Sequence, residues 1–269
     1  MTGEPIPPGL VQALASVRPS TAIVYCSSTT STNDVAMALA RDGATPGGVV
    51  IAEAQHAGRG RSGHRWFSPP GAGLYMSAVV APVLKPSGEL STWMTLAAGV
   101  AVAHALREVA VRPVELKWPN DLICRTTDGG WRKLGGILAE AVSAAGAVSA
   151  VVVGVGVNLR EAAYPPELEA LVTSLEREGT HTERDGLAAR IVGHLDDIYG
   201  RLRAGEEEWV RREWMRLAPL ARGALVRWVA DGAPKEGRSA GIADDGALLV
   251  DADGRRWRID AGQVDWAPA

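Results

Sequence analysis

The spacing of apolar positions divides the chain into a long stretch that mixes strand-like and helical periods and a shorter one with strand-like runs only. The first 20 or so residues form a proline-containing lead-in with room for at most one short helix. Val35, Ala36, Leu39 and Ala40 then share one face of a helical pattern at Asn33–Arg41. Ser31 and Asp34 stand three apart at its start, as in a capping box, and Gly43 is placed to stop it. Short apolar runs at Val49–Ala54 and Leu74–Ala81 predict buried strands, joined by a loop rich in Gly, Arg and Pro. Thr92–Val109, rich in Ala and Leu, predicts a helix long enough to cover a sheet. Val114–Trp118, Leu134–Val142 and Val148–Val157 predict further strands, and Arg184–Arg203 and Glu206–Leu217 predict helices.

After Pro219 the rhythm changes. Leu225–Ala230, Ser239–Ala243, Ala247–Val250 and Arg255–Ile259 are short β-like runs, with Asp245-Gly246 and Asp253-Gly254 as hairpin turns. The pattern therefore predicts a body of helices and strands over 1–218 and a small antiparallel barrel over 219–269. Composition agrees with a packed globular chain: 46% of the 269 residues are hydrophobic and 22% charged. A formal charge of −3 argues against bulk electrostatic binding of nucleic acid or anionic membrane. No apolar stretch is long enough for a membrane span, and the N-terminus lacks a signal-peptide pattern, so a cytoplasmic location is expected. Two distant cysteines and five histidines without ligand spacing give no metal site, and the metal ligands stay unassigned.

Candidate chemistry concentrates in Gln55-His56-Ala57-Gly58-Arg59-Gly60-Arg61-Ser62-Gly63-His64-Arg65-Trp66. No acidic residue occurs from Ala54 to Gly88, whereas Arg59, Arg61, Arg65 and Lys85 do. Arginines without local counter-charges, set among glycines, suit an anion receptor, and Trp66 beside them suits stacking on a base or a lid. Gly58, Gly60 and Gly63 also satisfy G-x-G-x-x-G, but Phe67-Ser68-Pro69-Pro70-Gly71 cannot open the helix that a dinucleotide fingerprint needs. Gly237-Arg238-Ser239-Ala240-Gly241 matches a hydrolase elbow only by chance, since no His follows it. In Leu116-Lys117-Trp118-Pro119-Asn120-Asp121-Leu122, a lysine sits in an apolar run where it needs a partner or a ligand. Asn120 and Asp121 either serve that ligand or bond their own turn. Ser27–Asn33, before a helix, offers small polar groups to an uncharged polar ligand, or simply caps the helix. The glycines in Lys133–Leu138 and Gly154–Asn158 mark either close approach or bulges.

In this order, S-T-N at Ser31–Asn33, Q-x-x-G-R-G-R-x-G at Gln55–Gly63, Arg65-Trp66, K-W-P-N-D at Lys117–Asp121, K-L-G-G-I-L at Lys133–Leu138 and G-V-G-V-N at Gly154–Asn158 resemble the biotin protein ligase family, strongly over residues 25–160. The resemblance implies an α+β fold: a mixed sheet with helices, related to class II aminoacyl-tRNA synthetases, plus a small all-β SH3-like C-terminal barrel. It implies the form without an N-terminal DNA-binding domain, since about 25 residues precede the first motif. The segment Cys124–Arg132 reads as a linker longer than the family's. The implied activity joins biotin and ATP, with Mg²⁺, into biotinyl-5′-AMP and passes biotin to a lysine of a biotin carboxyl carrier domain of a carboxylase. Implied biotin contacts are Ser31, Thr32, Asn33, Gln55, Gly58, Arg59, Gly60, Arg61 and Lys117. Implied ATP and adenylate contacts are Arg59, Arg61, Arg65, Trp66, Lys117, Asn120, Gly135, Gly136 and Asn158, with Lys117 and Arg61 catalytic. No nucleic acid or membrane partner is expected, and the protein would act as a monomer or homodimer. Lipoyl or octanoyl attachment and a non-catalytic biotin-binding module are the competing readings. The polar set Ser31–Asn33 with Gln55 argues against the first, and the number of cations against the second.

Overall fold

A computed structural model describes residues 4–42, 46–84, 92–126, 130–144, 146–260 and 264–266. Gly43, Lys85 and the Asp128-Gly129 turn lie outside the described residues. The elements of the larger part are α1 (Pro8–Val17), β1 (Ile23–Cys26), α2 (Thr32–Arg41), β2 (Val49–Ala52), β3 (Gly73–Val80), α3 (Trp93–Arg107), β4 (Val114–Lys117), β5 (Asp121–Arg125), β6 (Trp131–Ala144), β7 (Ala147–Asn158), α4 (Pro166–Glu169), α5 (Arg184–Arg203) and α6 (Glu207–Leu217). Then come β8 (Arg222–Ala230), β9 (Ala233–Ile242), β10 (Leu248–Ala252), β11 (Arg255–Ile259) and β12 (Asp265–Trp266).

The first seven strands form one mixed sheet in the order β1-β2-β3-β7-β6-β5-β4, in which only β1 and β2 run parallel. The other five form an antiparallel sheet in the order β11-β10-β9-β8-β12. β1 had no counterpart in the apolar pattern; four residues, all half-buried, give too short a run. The segment Cys124–Arg132, expected as a linker, is in part strand: β5 holds Cys124 and Arg125, β6 starts at Trp131, and Thr126 N–H bonds Gly130 C=O between them. Alternation failed as a signal there because β5 is buried on both faces, and such strands read as continuous apolar runs.

Side-chain alternation gives the large sheet two unlike faces. Val49, Ile51, Leu74, Met76, Ala78, Val151, Val153 and Val155 point to the main core under α1, α3, α5 and α6. α3 is buried almost all round, which is why its pattern is apolar rather than striped. That cluster continues through Trp214 and Leu217 to Val226, Trp228 and Leu248 of the second sheet. The opposite face packs Val50, Val79, Val142, Ala150 and Val152 against Ala36 of α2. Along this face the apolar row ends abruptly. Val79 lies beside Val152, the next row is Ser77, Gly154 and Leu138, and the next is Tyr75, Gly156 and Gly136. The sheet surface drops where α2 stops covering it, and a cavity forms there.

Candidate active site

The cavity has a volume of about 310 Å³ and lies between the start of α2, the Arg59–Trp66 loop, the β4–β5 turn and the centres of β6 and β7. It gathers Ser31, Thr32, Asn33, Gln55, Arg59, Gly60, Arg61, Arg65, Trp66, Lys117, Asn120 and Gly136, which the sequence singles out in five separate segments. Gly58, Gly135 and Asn158 are not among its lining residues. Gly58 and Gly135 pack against neighbouring backbone, respectively Trp66 C=O and Gly156 C=O. Asn158 is buried at the end of β7 and donates from Nδ2 to Thr173 C=O at 2.9 Å.

One wall is polar and carries no charge at its surface. Ser31, Thr32 and Asn33 are each buried to within 4% of full burial. The expected capping box does not form, because Ser31 makes no side-chain cap bond. Gln55 Oε1 takes that part, accepting the Thr32 N–H at 2.8 Å, while Gln55 Nε2 donates to Ser68 Oγ at 2.8 Å. Asp34, the other half of the expected box, turns instead to Arg59 at 2.9 Å. Gly154 makes room for this wall: a Cβ there would run into the Asn33 amide.

The opposite side is cationic. Lys117 and Asp121 face each other across the β4–β5 hairpin, with Nζ 3.0 Å from the carboxylate. Lys133 reaches the other oxygen of Asp121 at 2.5 Å. Burial alone would raise the Asp121 pKa, but Lys133 and then Lys117 outweigh it and hold the group below its usual range. Lys117, expected to need a partner or a ligand in its apolar run, is therefore paired. Between the strands, a cis Trp118–Pro119 bond turns the chain. Asn120 bonds β6 rather than its own turn: Nδ2 donates to Ile137 C=O at 2.8 Å, and its C=O accepts the Ile137 N–H at 3.0 Å.

The arginine loop passes through one 3₁₀ turn at Arg61–Gly63 and returns in an antiparallel bridge between Arg59 and Arg65, with no helix behind it. The dinucleotide match is thus excluded by structure as by sequence. Ser239 of the hydrolase-like match is buried, donates to Leu220 C=O and accepts the Ala224 N–H. The loop's arginines differ from one another. Arg59, expected without a counter-charge, is held by Glu140 at 2.8 Å as well as by Asp34. Its partners come from α2 and β6, so the local absence of carboxylates was misleading. Arg65 Nη2 donates to His56 C=O. The Arg61 guanidinium has no hydrogen bond or ion pair among the described residues, and burial lowers its pKa against the pull of Asp121. Trp66 lies on Gly156, where a Cβ would come within 2.5 Å of its indole nitrogen. Its Nε1 is shielded and without a partner, and Lys133 Nζ sits 5.5 Å from its ring centre.

Sequence reasoning passed over Lys133, Glu140 and Ser77 as individuals. Glu140 and Ser77 are polar exceptions inside apolar strand runs, the same signal that marked Lys117, whereas Lys133 follows Arg132 just ahead of its run and gave no such signal. It also missed Val264 and Asp265, which reach the cavity from the second sheet. Two indoles fasten that sheet beside the site: Trp118 donates to Gly246 C=O and Trp93 to Asp244 C=O.

Residues 25–158 match the model of the biotin/lipoate A/B protein ligase family. The chain is 37% identical to a biotin–[acetyl-CoA-carboxylase] ligase of Mycobacterium tuberculosis over 242 residues, covering 88% of this chain and 85% of that protein. It is 34% identical to the bifunctional ligase/repressor BirA of Escherichia coli over 217 residues, 77% of this chain, and spans 63% of that protein's length. The fold is also that of the biotin protein ligase from Aquifex aeolicus solved with biotin and ATP, with a TM-score of 0.74, 23% identity, and 92% and 99% of the two chains covered. Among the described residues, no helix is long and apolar enough to cross a membrane.

Proposed function

The chain belongs to the biotin/lipoate A/B protein ligase family, and from that premise we propose that it activates biotin with ATP and transfers it to one lysine of a biotin carboxyl carrier domain. The observation that carries this reading is the pairing, in one cavity, of a neutral hydrogen-bonding wall with a cationic one. Biotin has the same two ends, a polar uncharged ureido head and a carboxylate.

Activation brings a carboxylate to a triphosphate, and each like-charge pair at 4 Å costs about 4 kcal/mol at an effective dielectric of about 20. Arg61, Arg65, Lys117 and Lys133 stand where that repulsion must be offset, with Asp121 the carboxylate holding the two lysines apart and in place. A carboxylate oxygen of biotin attacks the α-phosphorus, the bond to the bridging oxygen breaks, and pyrophosphate leaves. The lysine amine of the carrier then attacks the acyl carbon, loses a proton, and AMP departs. Alignment and charge stabilisation are the main terms in such chemistry, so preorganised cations account for catalysis without a protein nucleophile. Lys133, shared between Asp121 and the Trp66 face, joins Lys117 and Arg61 as a catalytic residue in this reading.

Ser31, Thr32, Asn33 and Gln55 receive the ureido head, and Gly58–Gly60 form the loop beside it. Arg59, neutralised by Asp34 and Glu140, anchors that loop rather than gripping an anion. Trp66, Asn120, Gly135 and Gly136 belong to the nucleotide side. The donor set does not fit a resident Mg²⁺: Asp121 is engaged by two lysines, and no group of three His, Cys, Asp or Glu among the described residues could hold a metal. Mg²⁺ enters as part of the ATP substrate. Residues 219–269 are read as an SH3-like domain that closes one side of the cavity through Val264 and Asp265.

Incubation with MgATP, biotin and a carrier domain should add one biotin to one lysine, read by intact mass. Lipoate in place of biotin should add nothing, because its head has no N–H for the polar wall; equal labelling by lipoate would overturn the substrate assignment.

A further inference from the structure

Glu140 is 23% exposed, lies on β6 one row behind the cavity and is not among its lining residues. Its Oε2 accepts from Asn33 Nδ2 at 2.7 Å and from Arg59 Nη2 at 2.8 Å. A carboxylate only accepts, so it fixes which end of the Asn33 amide is nitrogen. The second amide proton points to Leu138 C=O at 3.3 Å, and Oδ1 is left facing Ser77 Oγ at 2.6 Å. Oδ1 cannot donate, so the one Ser77 proton goes to it. Ser77 is fully buried in β3, and its oxygen lies 2.8 Å from Thr32 Oγ1. With the Ser77 proton already used, that contact is attractive only if Thr32 donates into it. The alternative acceptor for Thr32, Gln55 Oε1, is more distant at 3.2 Å and already holds the Thr32 N–H. Thr32 therefore presents lone pairs to the cavity.

We infer that Glu140 is a positioning residue which, through Asn33 and Ser77, sets the direction of hydrogen bonding at Thr32 and makes the polar wall select a ligand with an N–H at that point. This rests on the reading of the cavity as a biotin site. The relay is built from obligate acceptors and single-proton hydroxyls, so its direction is set at the carboxylate end. Exchange of Glu140 for glutamine keeps an acceptor at that end, whereas alanine removes it.

The test uses biotin and its two carbamate analogues, each with one ureido N–H replaced by oxygen. Calorimetry gives binding, and biotin-dependent ATP–pyrophosphate exchange gives kcat and KM. The intact protein should bind biotin and discriminate against one analogue by about 100-fold or more, since a buried acceptor left unpaired is costly. In Glu140→Ala, the biotin KM should rise about tenfold with kcat within about twofold, and the discrimination should fall below about tenfold. Glu140→Gln should restore the discrimination. Ser77→Ala cuts the relay at its middle with the loss of one buried oxygen, and should reproduce the loss of discrimination if the Glu140→Ala protein does not fold. Asp34→Asn loosens Arg59 while leaving Glu140, Asn33, Ser77 and Thr32 unaltered, and should leave discrimination unchanged. Wild-type discrimination in Glu140→Ala or Ser77→Ala, or its loss in Asp34→Asn, overturns the relay while leaving biotin ligation standing. Failure of the unaltered protein to bind biotin overturns both.

Discussion

The two sides of the cavity solve opposite problems. On the polar wall the amides are committed before a ligand arrives: Gln55 holds the Thr32 amide, Ser77 holds Asn33, and Glu140 holds Asn33 together with Arg59. On the cationic side the charges exceed their partners. Asp121 serves both Lys117 and Lys133, while Arg61 has no partner among the described residues and is partly stripped of water. A satisfied network is rigid and selects by shape and donor pattern; an under-compensated one stores attraction for an incoming anion. The difference assigns recognition to one wall and chemistry to the other, and each prediction below separates them.

The largest effect belongs to the cationic side. Lys133→Ala should reduce kcat of biotin-dependent pyrophosphate exchange about a thousandfold, with biotin binding by calorimetry changed less than about threefold. Lys117→Ala should cost about a hundredfold in the same assay, less than Lys133 because its ammonium does not face the Trp66 ring. Next come the paired glycines. Gly154→Ala presses on Asn33 and should raise KM for biotin about tenfold, whereas Gly156→Ala displaces Trp66 and should raise KM for ATP by about as much. Interchanged effects would break the division between the walls. A control lies outside both. Glu213, hydrogen-bonded to Arg216 and to His104, has its pKa lowered from 4.5 to about 2. A lowered pKa stabilises the fold above the ordinary value, and the contribution is lost as pH falls toward about 2. Glu213→Gln should therefore lower Tm at pH 7, converge on wild type near pH 2, and leave both KM values unchanged. The smallest kinetic effect is expected of Asn158→Ala, which loses the Thr173 tie and should reduce Tm while leaving pyrophosphate exchange within about twofold.

Much of this was legible along the chain because the periods were long. α5 was placed at both ends, and α3, β6 and β7 within three residues at each end. The site's members were legible as residue types out of place: arginines among glycines, a lysine among aliphatics, hydroxyls before a helix. What stayed hidden was pairing across distance. Arg59 appeared unpaired because its carboxylates lie in other elements, and Lys117 appeared solitary because Asp121 meets it only once the β4–β5 hairpin closes. Gly154 and Gly156 read equally as bulges or as close approach; no bulge falls on them, and their missing side chains make room for Asn33 and Trp66. Asn158 shared its motif with them, yet points to Thr173, so membership in a motif did not fix direction.

The central claim is that one cavity recognises a ureido head and activates a carboxylate. Exchange of labelled pyrophosphate into ATP, run in parallel with biotin and with lipoate, tests it most directly. The account predicts exchange with biotin at least about a hundredfold faster than with lipoate, and reduced about a thousandfold in Lys133→Ala. Equal rates with the two acids, or exchange at the wild-type rate in the lysine variant, would contradict it.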